Sequence, residues 1–117
     1  MSGYLTTHVL DTARGLPAEG IKIELYSLDG DRTLVATTQT NDDGRTNSPI
    51  LPMDAFKTGT YELVFYCSDY LEAHDLASGD IKFLSEIPIR FGMDDAEAHY
   101  HVPLLLSPYG YSTYRGS

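Results

Sequence analysis

Apolar and polar residues alternate with a period of two along most of this chain, the spacing that sends successive side chains to opposite faces of a strand. The cleanest run sets Ile21, Ile23 and Leu25 against Lys22 and Glu24. Tyr4 to Leu10 alternates in the same way, with Leu5, Thr7 and Val9 on one face and Thr6, His8 and Leu10 on the other. Thr33 to Thr40 is rich in β-branched residues and reads as a third strand. In Thr60 to Cys67, Tyr61, Leu63 and Phe65 alternate with Glu62, Val64 and Tyr66. Ile87 to Phe91 carries Pro88, which places it at a sheet edge or at the start of a strand. Near the end, Tyr100, Val102, Leu104 and Leu106 share a face and leave His99 and His101 on the opposite one.

Turn chemistry separates these runs. Asp11 to Gly15 is followed by Pro17 and Gly20, Asp29-Gly30-Asp31 is a hairpin signal, and Asn41-Asp42-Asp43-Gly44 leads directly into Arg45. Ser107-Pro108-Tyr109-Gly110 predicts a tight turn into a last strand, Tyr111 to Tyr114, with Pro108 at the first corner and Gly110 supplying positive φ. Residues 47–57 contain two prolines and read as a loop with room for one short strand. The single helix candidate is Ser68 to Ala77, with Ser68 as its cap, Leu71 and Leu76 facing the sheets and Gly79 ending it. Seven or eight short strands with one short helix predict an all-β fold, a two-sheet antiparallel sandwich forming one domain over residues 1–117.

Composition narrows the partners. A formal charge of −9 with only eight basic residues disfavours nucleic acid and anionic membranes, whose binding relies on Lys and Arg neutralising phosphates. No apolar run approaches the roughly 20 residues of a membrane helix, and the opening residues lack a basic stretch followed by an apolar one. The lone Cys67 has no internal disulfide partner. These features favour a cytoplasmic protein.

The candidate chemistry lies with histidine. Imidazole titrates near neutrality, so one held close to a polarised carbonyl can take a proton from water. Two histidines with an arginine would form a metal-free hydrolytic site, the guanidinium neutralising oxyanion charge. A strand histidine is also commonly no more than an exposed or hydrogen-bonded sheet residue, and His74 in the helix candidate looks solvent-facing. His99-x-His101 with His8 resembles part of a zinc ligand set, yet no Cys pair or His-Glu-x-x-His spacing supports it. No Gly-x-Ser-x-Gly elbow is present, and Cys67 follows bulky Tyr66 within a strand. The Asn41–Gly44 stretch lacks the alternating acids of a calcium loop.

His8-Val9-Leu10-Asp11, Gly44-Arg45-Thr46, and His101 followed by Ser107-Pro-Tyr-Gly-Tyr-Ser-Thr-Tyr-Arg-Gly-Ser117 together resemble the 5-hydroxyisourate hydrolase family, transthyretin-related enzymes of urate breakdown. The match runs the length of the chain, and the terminal Tyr-Arg-Gly-Ser distinguishes the hydrolases from the hormone carrier. The resemblance implies an eight-stranded transthyretin-like sandwich, a homotetramer with sites at subunit boundaries, and no metal or cofactor. It implies that His8, Arg45 and His101 are catalytic, that Tyr114 and Ser117 bind substrate, and that Arg115 is structural. The implied reaction opens the lactam ring of 5-hydroxyisourate with water to give 2-oxo-4-hydroxy-4-carboxy-5-ureidoimidazoline. Either His101 or His8 would be the base, with the rate falling below about pH 6 for an ordinary imidazole. The competing readings are a transthyretin-type carrier of a small molecule and a structural sandwich module.

Overall fold

The computed structural model describes residues 2–116. Eight strands and one helix follow in the order β1 (Tyr4–Asp11), β2 (Leu16–Pro17), β3 (Lys22–Ser27), β4 (Thr33–Gln39), β5 (Gly59–Tyr66), α1 (Ser68–Ala73), β6 (Glu86–Met93), β7 (His99–Ser107) and β8 (Gly110–Thr113). They form two four-stranded sheets, in the orders β2-β1-β7-β8 and β4-β3-β5-β6. The core lies between the sheets. Leu5, Val9, Leu104 and Leu106 from the first meet Ile23, Leu25, Leu63, Phe65 and Ile87 from the second, all nearly or wholly inaccessible. Sandwich, strand count and short helix therefore agree with the sequence pattern.

Several details differ from the periodicity reading. β1 pairs with β7 in parallel, Tyr4 opposite His99 and Thr6 opposite His101, while every other strand pair is antiparallel. Alternation fixes which face a residue occupies, but it carries no information on the direction of a partner nearly a hundred residues away. The turn after β1 contains the two-residue strand β2, and the strand allowed for within residues 47–57 is reduced to a single bridge between Leu5 and Leu51. The helix stops at Ala73 because His74 caps it, well short of Gly79, and Cys67 rather than Ser68 occupies the N-cap position without a side-chain bond. Gly110 does not adopt positive φ; Ser107 Oγ instead donates to its carbonyl at 2.9 Å, closing the hairpin.

Glu62 departs most from simple alternation. It points outward from β5 yet is buried beneath two arginines, Arg32 Nη2 lying 2.8 Å from one carboxylate oxygen and Arg90 Nε 2.9 Å from the other. The Arg90 bond, then that of Arg32, holds its carboxyl below the usual range against the opposing effect of burial. Arg32 also lies over the ring of Tyr26, its guanidinium carbon 3.6 Å from the centroid. This ionic cluster lies on the outer face of the second sheet. The outer face of the first sheet carries the imidazoles.

Candidate functional site

The parallel pairing of β1 with β7 sets their outward side chains in rungs: Tyr4 beside His99, Thr6 beside His101, and His8 beside Pro103. Their inward neighbours Leu5, Thr7, Val9, Tyr100, Val102 and Leu104 are buried, so neither strand can slip by one residue without exposing its core face. The imidazoles are thus fixed by burial on the opposite side of the sheet.

Arg45 reaches the same face through a tight loop. Asn41 Oδ1 accepts the backbone N–H of Asp43 at 2.9 Å and of Arg45 at 3.2 Å, and the Gly44 N–H donates to the Asn41 carbonyl at 2.9 Å. Gly44 is held against β1 by the Val9 N–H, which donates to its carbonyl at 2.8 Å. Its φ of 73° favours glycine, and a Cβ there would clash with the Val9 carbonyl oxygen. Arg45 consequently bridges to His8 in the backbone ladder. Its side chain is exposed, and the ion pairs among the described residues do not involve it.

Together these elements surround a cleft of about 410 Å³ lined by Tyr4, Thr6, Arg45, His99 and His101, with Thr46 to Pro49 forming the loop side. His8 is not among the lining side chains, but its ring centroid is 6.4 Å from that of His101. The hydrogen bonds orient both rings. His8 Nε2 lies 2.9 Å from the Asp43 carbonyl oxygen, which can only accept, so Nε2 carries the proton and the Nδ1 of a neutral ring is unprotonated. His101 Nδ1 lies 2.7 Å from Thr6 Oγ1, which leaves Nε2 as its other edge. Burial first, then the positive charge of Arg45, pushes both imidazoles below their ordinary range. Both are therefore neutral near pH 7, the form in which imidazole can accept a proton.

Not every predicted residue shares this cleft. Tyr114 is exposed and lines a separate, mostly apolar crevice of about 230 Å³ with Ile89, Phe91, Val102 and Arg115. Arg115 lies over the ring of Tyr100, its guanidinium carbon 4.3 Å from the centroid, in keeping with a packing role. Ser117 lies outside the described residues. Gly116, however, returns to β7, donating its N–H to the His101 carbonyl at 2.8 Å. A Cβ at Gly116 would come within 2.6 Å of His101 Cδ2, so only glycine lets the tail lie against that imidazole. His74 is exposed and remote from the cleft, accepting from Arg14 Nη1 at 2.9 Å. Cys67 is wholly buried and burial pushes its thiol up to about 12, which removes it as a nucleophile. No group of three metal-binding side chains gathers among the described residues.

The site set expected from the sequence left out Thr6, His99 and the Thr46–Pro49 wall. The outward phase of Thr6 and His99 was visible, but their contact depends on the parallel register.

The family model described as HIUase/Transthyretin matches residues 5–116. The chain belongs to the HIUase/Transthyretin family. A relative from Rhizobium meliloti named 5-hydroxyisourate hydrolase 2 is 60% identical over 99% of this chain and 98% of its own length. A crystal structure titled (S)-allantoin synthase matches with a TM-score of 0.92 and 46% identity over 98% of this chain, which spans 44% of that longer one. Sea bream transthyretin in complex with thyroxine matches with a TM-score of 0.84 and 25% identity over 96% of this chain and 93% of its own. Family membership agrees with the two-sheet sandwich and with the order of the sequence motifs. Among the described residues no helix is long and apolar enough to cross a membrane.

Proposed function

We propose that this chain hydrolyses 5-hydroxyisourate to 2-oxo-4-hydroxy-4-carboxy-5-ureidoimidazoline. The carrying observation is the convergence of His101, whose imidazole burial and then Arg45 push below its ordinary range, with Arg45 itself on one cleft, and with His8 alongside. The name of the Rhizobium relative, nearly equal in length, supports the same substrate.

His101 Nε2 takes a proton from a water as its oxygen bonds to the lactam carbonyl carbon. Arg45 lies against the developing oxyanion and the substrate's planar polar edge, supplying charge where charge forms. Collapse of the tetrahedral intermediate breaks the ring C–N bond, the leaving nitrogen takes the proton back from His101, and the new carboxylic acid ionises. His8, with Nδ1 free and Nε2–H tied to the Asp43 carbonyl, accepts a hydrogen bond from the substrate or the water. General-base assistance of this kind contributes about 10²–10⁴-fold. Substrate binding is also assigned to Ser117 and to Tyr114, the latter acting in the site of a neighbouring subunit of a homotetramer. A carrier of apolar ligands would gain nothing from two imidazoles and a guanidinium at the cleft.

The test generates 5-hydroxyisourate in situ with urate oxidase and follows its ultraviolet decay. Added protein accelerates decay, and His101→Asn, Arg45→Ala and removal of Tyr114 to Ser117 each abolish most of the acceleration. Unchanged decay in all three variants rejects this site.

A further inference from the structure

His99 has no place in the mechanism above, yet it occupies the best-defined polar contact in the cleft. Thr6 Oγ1 lies 2.6 Å from His99 Nε2 and 2.7 Å from His101 Nδ1, so one hydroxyl joins the two rings. That hydroxyl has a single proton: it must donate to one ring and accept from the other. His99 is in turn stacked on Tyr4, centroids 4.1 Å apart and planes within 6°. The spacing follows from the fold, because the parallel register sets Tyr4 opposite His99 and Thr6 opposite His101. Among the described residues, the other titratable groups facing these rings are His8 from β1 and Arg45 from the neighbouring loop, with Gly116 of the tail packed against His101.

We infer that Thr6 is a positioning residue and His99 a proton reservoir, the three side chains forming a relay that serves His101 during hydrolysis. This rests on the hydrolase reading. In the resting state Thr6 donates to His99 Nε2 and accepts from His101 Nδ1–H, which leaves His101 Nε2 unprotonated toward the cleft. When Nε2 takes the proton of the attacking water, the Nδ1 proton passes to Thr6 Oγ1 and the Thr6 proton passes to His99 Nε2. His101 is neutral again, now bearing its proton at Nε2, and the positive charge rests on His99 against the face of Tyr4. This direction suits the local charges, since Arg45 opposes a second cation at His101. Once the C–N bond breaks, Nε2–H protonates the leaving nitrogen and the relay runs back. No proton is gained or lost by the protein over the cycle.

The test compares the parent with Thr6→Val, Thr6→Ser, His99→Phe and the Thr6→Val/His99→Phe double variant. Valine matches threonine in shape on a half-exposed strand position, and phenylalanine keeps a ring on Tyr4. Thr6→Val should lower kcat about tenfold with little change in KM, the scale of a partial loss of acid–base assistance. Thr6→Ser should restore the rate, and the double variant should be no slower than the slower single one. In ¹⁵N imidazole spectra of the ligand-free protein, His101 should be protonated at Nδ1 in the parent and in Thr6→Ser, and shift toward Nε2 protonation in Thr6→Val. Parent-like kcat in Thr6→Val, multiplicative losses in the double variant, or an unaltered His101 tautomer would each overturn the relay. An inactive parent would sink the hydrolase reading instead, while the spectra would still decide whether Thr6 couples the rings.

Discussion

At His101 and His8, two influences act in the same direction: burial disfavours the imidazolium, and Arg45 repels it. A base is competent only when unprotonated, so kcat/KM should be constant at neutral pH and fall as acid protonates the ring. Because both rings are lowered from 6.5, the midpoint of that fall should lie below 6.5. Stability has the same sign. Between the folded and unfolded values the unfolded chain binds more protons, so these imidazoles lower stability as pH falls through that window. Removing Arg45 takes away a lowering influence, and the residual acid limb of Arg45→Ala should move toward higher pH even as the rate drops. Ultraviolet rate profiles of the parent and Arg45→Ala between about pH 5 and 8 test both points. An acid limb above 6.5 in the parent, or none at all, would contradict the assignment of a neutral imidazole as base.

Among the elements, the loop carrying Arg45 is tightly constrained. Its Gly44 combines positive φ with close approach to the Val9 carbonyl, so Gly44→Ala meets both a disfavoured backbone region and a clash with β1. The strain alone costs roughly 1–2 kcal/mol; relief by moving the loop away from β1 would carry Arg45 off His8. Gly44→Ala should therefore melt several degrees lower and lose far more activity than that destabilisation explains, as thermal denaturation and hydrolysis rate together will show. Full activity with parent-like melting would mean that Arg45 does not need this loop. The same element shows what could be read in advance. Asn41 to Gly44 announced a turn, and the alternation of β1 and β7 assigned His8, His99 and His101 to outward faces. What alternation cannot encode is partnership. The parallel β1–β7 register, the Thr6 bridge and the burial of Glu62 under Arg32 and Arg90 arise between segments far apart in the chain. The convergence of Arg45 with the histidines came from motif resemblance, and Gly116 folding against His101 had no local signal beyond an unusually informative tail.

For the whole molecule, the notable asymmetry is between a closed core and an open site-bearing side. Every residue of β8 is exposed, Tyr109, Tyr111 and Tyr114 present 76%, 46% and 58% of their surface, and Arg45 stands in solvent. Tyrosine-rich exposed surface is what a symmetric assembly covers, aromatic side chains being favoured at interface cores. Tyr114 lies in a crevice apart from its own chain's cleft, so a contribution to catalysis requires a neighbouring copy. Under the proposed function, activity is then a property of the assembly. Light scattering should give the mass of four chains at working concentration. Tyr111→Glu places a charge on exposed β8 without touching the cleft residues; it should reduce the mass while leaving the far-ultraviolet circular dichroism of the sandwich intact. Rate per chain should fall in step with the loss of assembly and recover, at least in part, at high protein concentration. A dissociated Tyr111→Glu protein with the parent's rate per chain would show that one protomer holds the whole site, and the tail of a second copy would then have no part in hydrolysis.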